Sequence, residues 1–282
     1  MRIQLTVLAH NEEGQITACL ESMLPRPEDC NITVVVNGST DGTARIVRGF
    51  EGRGVELVEY AQGGKARSWN RFVLDECRRA DLYVFADGDA RFVPGTLDAF
   101  AACAMQHTAA NAIAGLPCNG RRARYYRTML QDGGGLFGDC YALCGSFVER
   151  MRSSGIRLPD DIVGEDGLIA ALALTDLRKD GDANAARIVA CDDAGFLCTP
   201  TPLSPTGLRN QSRRMVNYAV RHFQNRIVSD VMEREGATGL PRRLSERYGQ
   251  WLPRFRPRRH PVWYGFDRAA LRRMAAAERA SG

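Results

Sequence analysis

Leu82-Tyr83-Val84-Phe85-Ala86-Asp87-Gly88-Asp89 is a short apolar and aromatic run that stops on two carboxylates separated by a glycine. Such a run reads as a strand buried on both faces, the kind found in parallel sheets. Working outward, strand-type runs occupy residues 3–9, 32–36, 55–58 and 111–115, and helix-type segments fill 15–23, 41–50, 65–79 and 94–106. The alternation predicts an α/β fold: a mostly parallel central sheet, right-handed crossovers and helices on both faces. In such sheets ligands bind outside the carboxyl ends of the strands.

The polar clusters stand at those ends. Asn11-Glu12-Glu13 follows the first strand, Asn37-Gly38-Ser39-Thr40-Asp41 the second, Gly63-Gly64-Lys65 the third and Asp87-Gly88-Asp89 the fourth. Any one of them alone is a turn. Four at successive strand ends converge on one crevice, and there Asp87 and Asp89 suit a hard cation, Mg2+ or Mn2+, that leaves positions open for phosphate oxygens. Glu12 and Asp41 also stand where a carboxylate can cap a helix.

Beyond residue 115 the pattern loosens into a Gly- and Arg-rich stretch. Gly133-Gly134-Gly135-Leu136-Phe137-Gly138 lacks the flanking strand and lysine of a phosphate cradle and reads as a flexible loop. Glu165-Asp166 then opens an apolar helix expected over 167–177, and an amphipathic helix is expected over about 207–228.

The motifs resemble those of the family 2 glycosyltransferases, over roughly residues 3–220. Ala9-His10-Asn11-Glu12-Glu13 is similar to the opening segment that reaches the nucleoside. Val35-Val36-Asn37-Gly38-Ser39-Thr40-Asp41-Gly42-Thr43 is similar to the second motif, and Gly64-Lys65-Ala66-Arg67-Ser68-Trp69-Asn70 to the third.

The resemblance implies a GT-A-type nucleotide-sugar-binding fold, with a catalytic domain over 1–230 (donor half about 1–115, acceptor half about 116–230) and a C-terminal extension over 231–282. It implies an inverting, cation-dependent transfer of a sugar from a nucleotide-sugar to a hydroxyl acceptor. On it, Glu12 contacts the ribose, Asp41 the base, Asp87 the ribose or the metal, and Asp89 the metal. Ala9, Asn11, Asn37, Lys65, Asn70 and Gly88 complete the donor side. Val36 and Asn37 stand where the commonest form of the second motif has two acids. A uracil donor is expected, with guanine left open because an amide offers a donor as well as an acceptor.

Glu165-Asp166 resembles the acceptor-side acidic pair whose Asp is the general base, a role in which Asp160 and Asp161 compete and for which helix capping is the bland alternative. Gln211-Ser212-Arg213-Arg214-Met215 resembles a QxxRW segment with Met215 in place of Trp, which implies a diphosphate contact for Arg214. His222 is a weaker candidate metal ligand.

Composition limits the alternatives. Net charge is +5, yet residues 241–282 hold eleven arginines against three acids, so the body is slightly acidic. That argues against a nucleic-acid-binding working face. The tail's Trp251, Phe255, Trp263, Tyr264 and Phe266 fit either packing on the body or a twin subunit, or peripheral contact with an anionic membrane. The acceptor is left open among saccharides, small molecules and lipid-linked sugars. Nine cysteines without paired spacing read as buried reduced thiols, and with no membrane-spanning run the expected location is the cytoplasm, including the inner membrane face. The rival from another class is a non-catalytic nucleotide-sugar-binding or membrane-docking protein on the same scaffold.

Overall fold

The computed structural model describes residues 1–133, 135–199 and 204–281. The first four apolar runs form β1 (Ile3–Ala9), β2 (Cys30–Asn37), β3 (Val55–Tyr60) and β4 (Leu82–Asp87). They are followed by β5 (Ala90–Phe92), β6 (Ala112–Pro117), β7 (Tyr141–Cys144) and β8 (Ile188–Cys198). All eight share one sheet in the order β3-β2-β1-β4-β7-β6-β8-β5. β1 pairs in parallel with β2 and β4, β2 with β3, and β6 with β8, whereas β7 runs antiparallel to both its neighbours and β5 antiparallel to β8.

The helices are α1 (Ile16–Ser22), α2 (Thr43–Arg48), α3 (Lys65–Trp69), α4 (Thr96–Gln106), α5 (Ala123–Gly133), α6 (Gly145–Ser154), α7 (Glu165–Thr175), α8 (Pro205–Arg234), α9 (Tyr248–Trp251) and α10 (Pro261–Ser281). Side chains alternate across the sheet, so each strand feeds two cores. Leu82, Val84 and Ala86 of β4 join Ile16 of α1, Val47 of α2 and Phe100 of α4 on one face. Tyr83 and Phe85 join Trp69 of α3, Phe147 of α6, Ile169 of α7 and Phe223 of α8 on the other.

Two expectations change. Residues 65–79 are not one α-helix: after α3 the chain widens into a π-type turn over Asn70–Glu76, and Cys77 leaves it extended. Asn70 is the pivot, its amide donating to Leu158 O at 2.7 Å and accepting from Leu158 N at 3.1 Å. The expected helix over 207–228 runs instead from Pro205 to Arg234, past residue 230, started by Ser204, whose hydroxyl accepts from Gly207 N.

The tail packs on the body. Phe255 is buried with its ring centroid 4.9 Å from that of Phe223, and Ala270 and Met274 of α10 enter the same core as α8. Asp267, fully buried, takes a bidentate pair from Arg258, whose guanidinium also lies 4.1 Å over the Trp263 ring. Tyr264 is half exposed. All nine cysteines are free, and among the described residues no helix is long and apolar enough to cross a membrane.

Candidate active site

The carboxyl ends of β1 and β4 meet at Gly88. A Cβ there would lie 3.0 Å from Ala9 Cβ and from Glu12 Cγ, so the glycine between the two aspartates lets the first motif close on the fourth. Ala9 and Gly88 are thus packing positions that bring Glu12 beside Asp87 and Asp89. Trp69 is fully buried against Phe85 of β4, ring centroids 5.7 Å apart. Lys65 stands four residues earlier on the same helical face and is thereby aimed at the end of β4. Its ammonium meets Asp87 Oδ1 at 2.5 Å and Glu165 Oε1 at 2.6 Å.

Sequence reading missed Asp139. β7 pairs antiparallel with β4 in a register that sets Tyr141 opposite Phe85. Two residues after Phe85 and two before Tyr141, Asp87 and Asp139 come together, and one carboxylate oxygen each from Asp87, Asp89 and Asp139 lie within 4.8 Å of one another. Burial and the charges of Asp87 and Asp89 push Asp139 up to about 7. Burial, then the same two aspartates, push Glu12 to about 7. Asp87 rises to about 6, through burial and against the pull of Lys65. Asp87 Oδ1 is buried and meets the Lys65 ammonium as an ion pair. Crowded carboxylates are what a hard divalent cation, bound through oxygen ligands, would stabilise.

Across Lys65 lies the N-terminus of α7, which carries Glu165 and Asp166, both buried. Asp166 Oδ1 pairs with Arg221 Nη2 of α8 at 3.1 Å. Gly164, at φ +81°, makes room for that guanidinium, since a Cβ would lie 2.5 Å from Arg221 Nε. Burial raises Asp166 and so does the charge of Glu165, while Arg221, then Lys65 and the Gly167 N–H, oppose them. Two helical turns before Arg221, on the same face, Arg214 Nη2 lies 3.5 Å from Asp89 Oδ2. Lys65, Asp87, Asp89, Asp139, Glu165, Asp166, Arg214 and Arg221 therefore line one open cleft of about 900 Å³.

Other candidates lie elsewhere. Asp41 caps α2, accepting from the Thr43 hydroxyl, Thr43 N and Glu13 N, and although burial opposes them these bonds hold it below the usual carboxylate range. Asn37 is buried and ties motifs together: its amide donates to Ala9 O at 3.0 Å and accepts from Gly64 N at 3.3 Å. Asn11, at φ 57°, accepts from Thr40 N and braces the same loops. Asn70 lines a separate cavity with Asp160 and Arg242. Asp161 accepts from Leu244 N and Ser245 N, so neither competitor of Asp166 reaches the cleft. His222 faces a different recess beside Trp251. Phe137 and Gly138 of the glycine-rich loop line the cleft, while Gly134 lies outside the described residues.

A glycosyl transferase family 2 model matches residues 5–161, more than half of the chain. The protein belongs to this family. The chain is 30% identical over 94 residues to the 4,4'-diaponeurosporenoate glycosyltransferase of Staphylococcus aureus (strain bovine RF122 / ET3-1), a match covering 32% of the chain and 24% of that relative. Among solved structures, the mannosyltransferase PcManGT from Pyrobaculum calidifontis in complex with GDP-Man and Mn2+ superposes with a TM-score of 0.62 at 20% identity, covering 98% of this chain and 75% of that one. S. aureus TarS 1-349 in complex with UDP-GlcNAc gives 0.55 at 20% identity, over 78% and 66%. Glucosyl-3-phosphoglycerate synthase from Mycobacterium tuberculosis, with Mn2+, UDP-Glc and phosphoglyceric acid, gives 0.52 at 18% identity, over 78% and 79%. The family 2 protein thus has the GT-A glycosyltransferase fold, and it spans about a quarter of its curated relative and two thirds of TarS 1-349.

Proposed function

We propose that the protein is an inverting glycosyltransferase that moves a sugar from a nucleotide-sugar, UDP-linked, to a hydroxyl acceptor with the help of Mg2+ or Mn2+. The observation that carries this reading is the shared cleft: a cluster of three carboxylates and a buried carboxylate at a helix N-terminus face each other across Lys65. Structures of similar fold hold UDP-GlcNAc, GDP-Man with Mn2+, or UDP-Glc with Mn2+, which supports the donor class.

Asp87, Asp89 and Asp139 would hold the cation, which supplies positive charge to the leaving diphosphate. Arg214 reaches the same oxygens from α8 and adds a second cation where negative charge develops. Asp166 accepts the acceptor hydroxyl's proton as that oxygen forms its bond to the anomeric carbon, and the bond from that carbon to the diphosphate oxygen breaks on the opposite face. Lys65 ties Glu165 to Asp87 and so fixes the distance between the base and the cation site. Residues up to about 115 serve the donor, and those from 116 to 230 the acceptor.

The test is nucleotide release from a panel of UDP-, GDP- and dTDP-sugars, with Mn2+, Mg2+ or EDTA. Release from one donor that EDTA and Asp89→Ala both abolish is the expected result. Binding of a donor without release under any acceptor would favour a non-catalytic sugar-nucleotide receptor instead.

A further inference from the structure

Away from its charged floor the cleft is apolar. Its outer wall is built from Tyr126 and Met129 of α5, Phe137, Val163, Leu174 of α7 and Tyr218 of α8. The Tyr126 and Phe137 rings pack edge to face with centroids 5.1 Å apart. Met129 and Tyr218, on α5 and α8, remain 41% and 51% exposed among the described residues.

Apart from Asp139, the charged groups of the cleft are paired with one another. Lys65 holds Asp87 and Glu165, Arg221 holds Asp166, and Arg214 lies on Asp89. Asn217 accepts from Arg273 at 2.7 Å, and Thr199 donates to Gln15 at 3.0 Å. A saccharide brings a hydroxyl on nearly every ring carbon, and each one buried needs a partner. A body of methylenes or methyl-branched carbons needs none and gains from contact with these six side chains.

We propose that the acceptor hydroxyl is carried by an extended apolar body, an alkyl- or isoprenoid-type alcohol, which lies between α5 and α8 with its oxygen at Asp166. This rests on the transferase reading above and narrows its acceptor. The rim suits such a molecule. Arg214 lines the cleft, and Arg121 and Arg122 just ahead of α5 and Arg209 and Arg213 on the first turns of α8, the two helices that flank its mouth, are exposed. Tyr125 (63% exposed) is aligned with Met129 one turn later, so the rim pairs cations with apolar side chains. This is the combination that meets a bilayer surface.

The experiment is a series of primary alcohols of increasing chain length, with mono- and disaccharides beside them, using whichever donor the panel selects. Expected is a rise in kcat/KM of about threefold to fourfold per added methylene until the cleft is filled. That gain should be lost in Met129→Asp and Tyr218→Asp, both at exposed positions. A rate independent of chain length, or a saccharide preferred to every alcohol, would overturn the proposal. Calorimetric binding of dodecanol to the protein without donor reads the subsite independently of turnover: binding with a negative heat-capacity change, weakened in both variants, is expected. Failure to bind would sink this inference, whereas failure to consume any donor would sink the transferase reading alone. Supplying the alcohol in neutral detergent micelles or in phosphatidylglycerol-containing vesicles separates its two sources. Faster transfer from the vesicles, abolished by salt, assigns a bilayer met by the arginine rim, and equal rates assign a freely dispersed alcohol.

Discussion

Arg221→Met removes a guanidinium while roughly keeping its volume, and the structure fixes what should follow. At 3.1 Å the pair with Asp166 has a gross Coulomb energy of ~5 kcal/mol at an effective dielectric of about 20. Desolvation and screening take back most of it, because the Arg221 side chain is 32% exposed and that of Asp166 12%. A net loss of about 1–3 kcal/mol remains. The loss has a sign in pH. Burial already holds Asp166 above its ordinary range, and Arg221 opposes that. Between the unfolded and folded values the native state binds the extra proton, so this group's contribution to stability falls as pH rises through that window. Without Arg221 the folded value climbs further and the window widens. Urea melts should therefore show a larger penalty at about pH 8 than at about pH 5, and the acid limb of kcat/KM should move to higher pH. Arg221→Lys should restore part of both. An equal penalty at both pH values, together with strict additivity between Arg221→Met and Asp166→Asn, would refute the claim that this pair sets the state of the base.

Asp139→Asn should weaken Mn2+ binding by at least tenfold in calorimetry while leaving the melting temperature of the metal-free protein unchanged or higher, since it removes one of several crowded acids. In the unmodified protein Mn2+ affinity should rise with pH across about 6–7 and binding should release protons, because Asp87, Asp139 and Glu12 are held up near there. Lys65→Met strands two facing carboxylates and should cost about 2–4 kcal/mol in urea melts, a loss that added Mn2+ partly offsets. Gly38→Ala should cost about 1–3 kcal/mol, since φ is +61° and a Cβ would lie 2.6 Å from the backbone nitrogen of Gly63; an unchanged melt would contradict this close approach of the two loops.

The first half of the fold was legible because β1, β2 and β4 are largely apolar runs ending in polar clusters, a pattern that burial on both faces imposes, while the edge strand β3 interleaves Val55, Leu57 and Val58 with exposed glutamates. The second half resisted for local reasons. β7 has four residues, and β8 contains Asp192 and Asp193 close to where its pairing with β6 slips between Ala114 and Leu116, so neither shows a clean period. Asp139 carries no motif, and only the antiparallel register of β7 brings it to Asp87. The one signal in sequence was an acid placed just before the apolar run from Cys140 to Leu143, after a glycine-rich loop. Asn37 and Asn70 were legible as fixed positions but not in their tasks, since their partners, Ala9 and Gly64 for one and Leu158 for the other, lie 27 to 88 residues away. The tail's arginines and aromatics looked alike in sequence, and only packing separated buried Phe255 from exposed Tyr264.

The central claim is that one cleft joins a cation-held donor to a separate base, and Asp166→Asn tests it most directly. Donor affinity in the presence of Mn2+, measured by calorimetry, and transfer rate should part company. Binding should stay within about threefold of the unmodified protein while kcat falls by about 10²–10⁴. Transfer at the unmodified rate, or loss of donor binding in step with loss of rate, would contradict the account.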